Sequence, residues 1–509
     1  MGAAHGKPCA AAEYRTQPAF DEVNIPLAAG YYRMQVRSTV NTRIRREAKG
    51  ILASFYVQTF GCRATQADGA AIERQFEEYG LVRAAAAAQS EIVVLNTCTV
   101  TASADQDARA AIRRIRRENP DCQIVVTGCY AQRAPEEVAS LPGVSRVIGN
   151  SHKHQVAEIV AASRRHNALA TTSPAFVPLS SLAPQTQSEI FVSDVFAHTE
   201  LLAAPVFDAT GPGTNNDRTR PNLKVQDGCD NRCSFCVIPY VRGQSRSLPL
   251  SQIIDEVNAL VNAGYREVVI SGINLGRWGR DFDRPLRFET VIHSILSQTH
   301  LEKLRISSVE PMDWSDELIH LMAHSSRIAK HAHVPLQSGS DRVLRAMHRK
   351  YRPWHYREKL ERIRAAMPAA AIGADVMVGF PGESEANFEE TRLLIEALPF
   401  TYLHVFTYSS RPGTAAAAMR DQVPVQIARE RNRILRDLAA KKKLNFMRGF
   451  VGEIVDAITL SVFDGQFTEA LTDNYLKLRL QGQHDANQWV KAQVEQVEAG
   501  ALRAVRVPI

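Results

Sequence analysis

Three closely spaced cysteines, Cys229, Cys233 and Cys236, follow the spacing Cys-x3-Cys-x2-Cys. Thiolates this close together can hold one iron–sulfur cluster. Because there are three thiols and not four, a four-iron cluster here would keep one iron without a protein ligand, where a small molecule can bind and react. The alternatives are a zinc knuckle or a chance grouping. A structural zinc site normally needs four ligands, however, and no fourth Cys or His lies near.

Three further cysteines each follow a short apolar run that predicts a buried strand. The runs and their cysteines are Phe55–Gly61 with Cys62, Ile92–Thr97 with Cys98, and Ile124–Gly128 with Cys129. The carboxyl ends of parallel strands line one edge of a sheet, where ligands bind. Any one of these cysteines alone would be interpreted as a packing residue. All three at equivalent strand ends favour a second three-cysteine site.

The composition limits the class of protein. The chain has 509 residues, 45% of them hydrophobic and 23% charged, which predicts a globular protein of two to four domains. No apolar run approaches the length of a membrane span, and no secretory signal opens the sequence. Eight cysteines in short clusters favour metal chemistry in a reducing compartment, so we expect a cytoplasmic location. The net charge of +7 favours a polyanion partner.

The order of predicted strands and helices indicates an α/β protein. We expect an N-terminal open parallel-sheet domain, a central partial (βα)6 barrel and a small C-terminal β-barrel. The expected divisions are a basic arm without assignment at 1–51, the α/β domain at 52–163, a linker at 164–220, the barrel at 221–436 and the β domain at 437–509. Barrel chemistry lies at the carboxyl ends of the strands, and the Cys229 loop follows the first strand there.

Some segments permit more than one interpretation. Residues 1–51 are either a disordered arm that contacts RNA or an artefact upstream of a start at Met34. Within the linker, Glu189–Phe196 could form a strand that closes a sheet edge. Cys9 and Cys122 are interpreted as bystanders, because Cys9 lies in the unpatterned arm and Cys122 opens a strand at the wrong end for the site.

The two three-cysteine sets, with the strand-end set first, resemble the methylthiotransferases of the radical S-adenosylmethionine class. The resemblance covers residues 52–505. The segments Asn96–Thr101 and Thr127–Gln132 are most similar to the subgroup that modifies threonylcarbamoyladenosine in tRNA, the MtaB group. The C-terminal β domain, after Lys441–Lys443, is similar to the TRAM domain, an RNA-binding module.

The resemblance implies a division of labour between two [4Fe-4S] clusters. The cluster on Cys229, Cys233 and Cys236 would generate an adenosyl radical from S-adenosylmethionine. The cluster on Cys62, Cys98 and Cys129 would supply the sulfur of a methylthio group added to carbon 2 of the adenine. The implied partners are tRNA and an external electron donor, with neither a membrane nor DNA involved.

Other strand ends of the barrel should then contact S-adenosylmethionine. The candidates, in chain order, are Gly272, Asn274, Glu310, Gln337, Ser338 and Asp375. Ordinary βα loops also favour Gly, Pro and Ser, so the set carries more weight than its single members. His331 and His333 alternate along the fourth strand, where they could reach a metal but are interpreted as core or ligand-facing histidines.

Three alternative functions stay open at this stage. One is methylthiolation of isopentenyladenosine in tRNA, and another is methylthiolation of a ribosomal-protein aspartate. The third is an iron–sulfur protein that binds RNA or carries electrons without catalysis. An electron carrier needs fully ligated clusters, and two incomplete three-cysteine sets argue against it.

Overall fold

The computed structural model describes residues 53–162, 188–197 and 219–508. The expectations for residues 1–51, for Cys9 and for most of the linker lie outside this part of the chain. In the described residues, no helix combines the length and apolar character needed to cross a membrane. The strands are β1 (Ser54–Thr59), β2 (Val82–Arg83), β3 (Ile92–Thr97), β4 (Gln123–Gly128), β5 (Val144–Ile148), β6 (Glu189–Phe191), β7 (Asn222–Asp227), β8 (Arg246–Ser247), β9 (Glu267–Gly272), β10 (Lys303–Ile306), β11 (His331–His333), β12 (Ala371–Val378), β13 (Tyr402–Thr407), β14 (Ile454–Phe463), β15 (Phe467–Thr472), β16 (Lys477–Gln481), β17 (Trp489–Glu498) and β18 (Ala501–Arg506).

The α-helices connect these strands and flank the sheets. They span Arg63–Glu78, Ala102–Glu118, Cys129–Arg133, Pro135–Ala139, Ile238–Arg242, Leu250–Asn262, Phe288–Gln298, Asp316–His324, Asp341–Ala346, Pro353–Ala366, Glu385–Ala397 and Val425–Arg448. Residues 156–162 are also helical.

The N-terminal domain contains a parallel sheet in the order β2-β1-β3-β4-β5-β6. Strand β3 is buried along its whole length, as expected for a central parallel strand with apolar side chains on both faces. One hydrophobic cluster lies on each side of the sheet. Strand β6 pairs with β5, which confirms a strand at this sheet edge. It ends at Phe191, however, and Val195–Ala197 form a 3-10 helix, so the predicted strand Glu189–Phe196 was too long.

The central domain contains the six predicted parallel strands in chain order. Strands β7, β9 and β10 form one row, with the short β8 antiparallel to β7, and β11, β12 and β13 form another. A bridge between Ser308 and His333 joins the two rows. Among the described strands, β13 does not pair with β7, so the joined rows stay open and the expected partial barrel is confirmed. One large apolar core packs the outer helices against it.

The C-terminal domain is a closed five-stranded barrel in the order β14-β15-β16-β18-β17. This confirms the expected small β-barrel, and its last strand, β18, carries Arg503 and Arg506, which interrupt the apolar pattern. The expected boundary at residue 437 falls inside the helix Val425–Arg448. Consecutive lysines favour helix, so the basic run continues this helix and does not begin the β domain.

A close approach inside the central barrel depends on a glycine. Gly373 of β12 lies opposite Tyr402 of β13, and the Tyr402 ring crosses the space that a side chain at Gly373 would occupy. The Tyr402 hydroxyl thereby reaches within 2.6 Å of Nε2 of His331 on β11. The aromatic ring thus links three neighbouring strands across the inner face of the barrel.

We expect Gly373→Ala to destabilise the protein, because the new methyl carbon would lie 2.1 Å from Cζ of Tyr402. Overpacking of this kind costs about 1–3 kcal/mol. Urea unfolding followed by tryptophan fluorescence measures the effect. The matched control is Gly449→Ala at a helix end with negative φ, where the change should be neutral or slightly stabilising. Equal midpoints for the two variants would contradict the prediction.

Candidate functional site

The first three-thiol set lies in the loop between β7 and the helix Ile238–Arg242. Nδ2 of Asn274 donates to Sγ of Cys229 at 3.6 Å. Nη1 of Arg349 donates to Sγ of Cys233 at 3.3 Å. Hydrogen bonds of this type to cysteine sulfur are one of the means by which proteins tune iron–sulfur clusters. The loop therefore presents its sulfurs to N–H donors, as a set of thiolate ligands requires.

The second set is assembled by three adjacent parallel strands, β1, β3 and β4. Cys62 caps the 16-residue helix Arg63–Glu78, Cys98 follows β3 and Cys129 begins a helix directly after β4. A Cβ on Gly61 would lie 3.0 Å from Sγ of Cys98, so the Cys62 loop touches the Cys98 side chain. The positive end of the helix at Cys62 favours negative charge there.

The two sets approach each other across the boundary between the first two domains. Cys129 of the second set packs against Val237 and Val241, which follow Cys236 of the first set. Nδ2 of Asn150 donates both to Sγ of Cys129 at 3.5 Å and to the Val241 carbonyl at 2.6 Å. The chain that follows one thiol set is thus packed directly on the other.

The spacing of the thiols argues against a zinc site in either set. Among the described residues, the one group of three Cys, His, Asp or Glu ligand atoms within 4.8 Å of one another belongs to His333, Asp375 and His404. The sulfurs of neither thiol set lie that close. Four-coordinate zinc, with Zn–S bonds of about 2.3 Å, would need sulfurs about 3.8 Å apart. The thiols of the two sets are therefore not arranged for a single zinc ion.

Burial keeps several of the thiols protonated in the absence of metal. Burial, with smaller contributions from Cys129 and Cys62, raises the pKa of Cys98 to about 12. Burial also raises the pKa of Cys236 to about 12. Metal binding must displace these protons, because only thiolate is a good ligand. A metal cluster held by either set would therefore need positive charge nearby.

That charge comes from a buried network beneath the second set. The carboxylate of Asp68 accepts hydrogen bonds from Lys153 Nζ at 2.9 Å and from Arg242 Nη2 at 2.8 Å, and it pairs with Lys224. Asp227 accepts from Lys224 Nζ and from Arg242 Nη1, both at 2.8 Å. Three cations thus face two carboxylates, which leaves one positive charge in excess.

The excess charge lies close to the thiols. Burial by itself would lower the pKa of Arg242. This effect of burial is outweighed by the negative charges of Asp227 and Asp68 and of the thiols of Cys129 and Cys62, which raise the pKa of Arg242 well above its ordinary value. A guanidinium in this position can offset the negative charge of thiolate ligands in a dry interior.

Two of the predicted S-adenosylmethionine contacts have unused polar atoms at the strand ends. Asn274 is 5% exposed and its Oδ1 has no hydrogen-bond partner in the described structure. Gln337 is 8% exposed, its Oε1 also lacks such a partner, and its backbone is left-handed at φ 63°. Buried polar atoms are normally paired, so both oxygens are suited to a ligand.

The remaining predicted contacts have other partners. Gly272 makes room for Gln226, whose Oε1 would lie 2.9 Å from a Cβ on this glycine. The Glu310 carboxylate pairs with Arg349. The hydroxyl of the buried Ser338 lies 3.1 Å from Oγ1 of Thr391 on an outer helix. These contacts arise because the loops at the strand ends contact one another and form hydrogen bonds with the helices on the outside of the barrel.

Asp375 has yet another setting. Oδ1 of Asp375 lies 3.4 Å from Nε2 of His333, in the middle of the barrel and not at a strand end. Asp375 pairs in register with His404 of β13. Strand β12 therefore contributes the Asp375 carboxylate to the interior of the barrel. The next residue, Val376, forms an isolated β-bridge with Gln337.

Sequence reasoning missed several residues that support the thiols. Asp68 lies in an alanine-rich helix that predicts only surface or core, and Arg349 lies in a basic run. Gln226 was assigned only to a strand. Its Oε1 accepts from the Asn274 N–H at 2.7 Å and its Nε2 donates to the Gly228 carbonyl at 2.8 Å. A charged or amide residue inside an otherwise apolar element was the signal available for Asp68 and Gln226.

Two family descriptions match this chain. Residues 54–149 match the uncharacterized protein family UPF0004, and residues 223–395 match the Radical SAM superfamily. The solved structure of the radical S-adenosylmethionine methyltransferase TsrM from Kitasatospora setae is similar in fold, with a TM-score of 0.51 and 15% identity. That similarity covers 72% of this chain and 77% of TsrM.

Several curated proteins are similar over most of their length. The threonylcarbamoyladenosine tRNA methylthiotransferase MtaB of Bacillus subtilis is 34% identical over 85% of this chain and 92% of that protein. MtaB of Aquifex aeolicus is 34% identical over 85% and 98%. The tRNA-2-methylthio-N(6)-dimethylallyladenosine synthase of Novosphingobium aromaticivorans is 32% identical over 80% and 86%.

We expect Asp68→Asn to destabilise the protein strongly, because it leaves buried cations without their shared carboxylate. Breaking a buried ion pair from one side costs about 3–5 kcal/mol. Burial would raise the pKa of Asp68, but Lys153, Lys224 and Arg242 hold it well below the ordinary value. The stabilising charge is therefore fully present above about pH 4, the unfolded value, and is lost as the pH falls through the lower folded pKa.

Urea unfolding of the apo protein at pH 7 and at lower pH measures this effect. The difference in the free energy of unfolding between wild type and Asp68→Asn should become smaller as the pH is lowered. Asp255→Asn, on the exposed face of the helix Leu250–Asn262, is the matched control and should change stability by less than about 0.5 kcal/mol. If Asp68→Asn lowers the free energy of unfolding no more than Asp255→Asn does, the buried charge network does not stabilise the fold.

Proposed function

Because this chain belongs to the radical S-adenosylmethionine methylthiotransferases that act on tRNA, we propose that its substrate is threonylcarbamoyladenosine next to the anticodon. The product would carry a methylthio group on carbon 2 of the adenine. The observation that carries this proposal is the pair of three-thiol sets packed on each other through Cys129 and Val237. A reaction that needs both a radical and a sulfur source requires two such sites close together.

Both sets fit an iron–sulfur cluster by their chemistry. Each has three thiols, and each set has an N–H donor aimed at a sulfur. We assign one [4Fe-4S] cluster to Cys229, Cys233 and Cys236 and the other to Cys62, Cys98 and Cys129. When bound, the first would supply one electron from an external donor for the cleavage of S-adenosylmethionine, and the second would supply sulfur.

The chain's own residues have distinct roles in this proposal. The unpaired oxygens of Asn274 and Gln337 orient the polar groups of S-adenosylmethionine beside the Cys229 loop. Arg349 donates to the Cys233 sulfur, and its pairing with Glu310 holds the guanidinium in place.

The choice of substrate is supported by the relatives. This chain matches the MtaB proteins of Bacillus subtilis and Aquifex aeolicus over 92% and 98% of their length, against 86% for the dimethylallyladenosine synthase of Novosphingobium aromaticivorans. In the motif after β3, Thr99 Oγ1 donates to Asp105 Oδ1 at 2.6 Å, and Arg133 donates to Thr99 at 2.8 Å. These side chains hold the Cys98 loop, so direct recognition of the substrate must come from residues elsewhere.

We expect anaerobically reconstituted wild-type protein to bind about eight irons, from two four-iron clusters. Replacing Cys229, Cys233 and Cys236 together by Ala should leave about four, and the same should hold for Cys62, Cys98 and Cys129. The measurement is iron content per chain. The matched control is Cys122→Ala, a buried cysteine of the N-terminal core that should retain all the iron. A fully reconstituted wild type with about four irons would contradict the two-cluster assignment.

The two sets should also separate in function. The Cys62→Ala, Cys98→Ala, Cys129→Ala variant should release 5′-deoxyadenosine from S-adenosylmethionine but form no methylthio product, because its radical site is intact. In cells that lack the gene, wild type should restore methylthio-threonylcarbamoyladenosine in tRNA, and neither triple variant should. Mass spectrometry of tRNA nucleosides measures this.

Two results would be decisive against these assignments. Loss of S-adenosylmethionine cleavage in a triple variant that keeps its first cluster would reject the division of labour. Restoration of the methylthio group on isopentenyladenosine, and not on threonylcarbamoyladenosine, would reject the proposed substrate while leaving the family chemistry in place.

A further inference from the structure

A cavity of about 600 Å³ lies where the partial barrel fails to close. Arg220, just before β7, and His404 of β13 both line it, so it opens between the first and last parallel strands. The helix Val425–Arg448 and the C-terminal β-barrel provide its other walls. We call this space the seam cavity. It connects the inner face of the central barrel with the C-terminal domain.

The rim of the seam cavity is positively charged. Its cationic side chains are Arg220, Arg436, Lys443, Lys477 and Arg479, and its one carboxylate is Glu469. Arg220 lies 3.6 Å from Glu267 and Arg479 lies 2.7 Å from Asp464.

Three of the rim cations form no ion pair within the described chain: Arg436, Lys443 and Lys477. Burial and the nearby Lys477 ammonium lower the pKa of Lys443, so two like charges face each other. Such a rim is suited to the phosphates of a nucleic acid.

Three polar side chains lie on the inner face of the barrel behind this rim. His333 of β11, Asp375 of β12 and His404 of β13 bring ligand atoms within 4.8 Å of one another. We call them the inner triad. His333 lies in register with Gly373 and Tyr402, and Asp375 lies in register with His404, so the triad spans two neighbouring rows of the inner face.

The inner triad lacks partners that it should have. His333 is 9% exposed, and its Nδ1 has no hydrogen-bond partner in the described structure. Its Nε2 lies 3.4 Å from Oδ1 of Asp375 but forms no hydrogen bond with it. The Asp375 side chain is 32% exposed and His404 is exposed toward the cavity it lines. Buried polar groups of this kind are normally satisfied, so a ligand with both donors and acceptors fits here.

A polar organic group fits the inner triad better than a metal ion does. Two histidines and a carboxylate can bind a divalent metal. A metal-bound histidine, however, almost always donates its other ring N–H to a carboxylate, a carbonyl or water. Nδ1 of His333 has no such partner among the described residues. The geometry lacks the outer contacts that would fix a metal ligand.

We propose that the seam cavity receives the target nucleotide and that the inner triad binds its N6 substituent. This inference rests on the proposed function. The rim holds the phosphates, and the triad reads the group that distinguishes one modified adenosine from another. A threonylcarbamoyl group offers a carbonyl, N–H groups, a hydroxyl and a carboxylate. An isopentenyl chain offers none of these and would leave the triad unpaired, which is how polar sites reject apolar analogues.

The test measures the binding of the full chain to three anticodon stem-loop RNAs by fluorescence anisotropy. The loops carry threonylcarbamoyladenosine, isopentenyladenosine or adenosine at the same position. Wild type should prefer the first. His404→Leu and His333→Asn should each reduce that preference about tenfold to a hundredfold, because Leu has no hydrogen-bonding group and the shorter Asn side chain moves its polar atoms away from the substituent. Their affinity for the adenosine loop should stay the same.

Two controls separate recognition from general effects. His320→Leu removes an exposed histidine from the outer helix Asp316–His324 and should leave the preference unchanged. Lys477→Gln should weaken binding to all three loops alike and flatten the salt dependence, since it removes a phosphate contact. The iron content and unfolding midpoint of each variant establish that it is folded.

Three outcomes would overturn the inference. One is a wild type that binds the three loops equally, and another is an unchanged preference in both His404→Leu and His333→Asn. The third is stoichiometric binding of Co²⁺ that disappears in His404→Leu, in protein lacking the six cluster cysteines. If wild type forms product on threonylcarbamoyladenosine and either of the first two results is obtained, the proposed function survives and only this inference fails.

Discussion

The arrangement of the site depends on one buried charge cluster, in which Asp68 of the N-terminal domain pairs with Lys224 and Arg242 of the central barrel. These charges are too costly to leave unpaired in a dry interior, so the two domains can pack in this way only with the partners aligned. The alignment places Cys129 on the residues that follow Cys236. A single electrostatic requirement therefore sets the approach of the two thiol sets and leaves positive charge where thiolates need it.

The strand ends of the central barrel and its interior carry different groups of residues. Its strand ends carry the Cys229 loop and the unpaired oxygens of Asn274 and Gln337. Its inner face carries the polar layer of His333, Asp375 and His404, directly behind the cationic opening. Because Asp375 adjoins the residue that bridges to Gln337, the inner layer and the strand-end site are neighbours. A substrate entering through the opening would meet both.

Much of the architecture follows from local pattern. The buried runs before Cys62, Cys98 and Cys129 predicted parallel strands, and the order of sheet, partial barrel and small β-barrel is confirmed. The sequence pattern failed where one residue type is compatible with two kinds of structure. Lys441–Lys443 were assigned to the start of the β domain, but lysines favour helix and the helix ends only at Arg448.

By itself, the sequence determined the six thiols, their grouping into two sets and the strands that carry them, because these depend on residue type and on neighbours a few positions away. Only the tertiary structure decided which side chains support the thiols and what the strand-end residues contact. Glu310 pairs with Arg349, Ser338 with Thr391 and Asp375 with His333. The Asp68–Lys224 pair joins residues 156 positions apart. Such pairings are set by the requirement that every buried charge find a partner in space, and that requirement leaves no periodic mark on the chain.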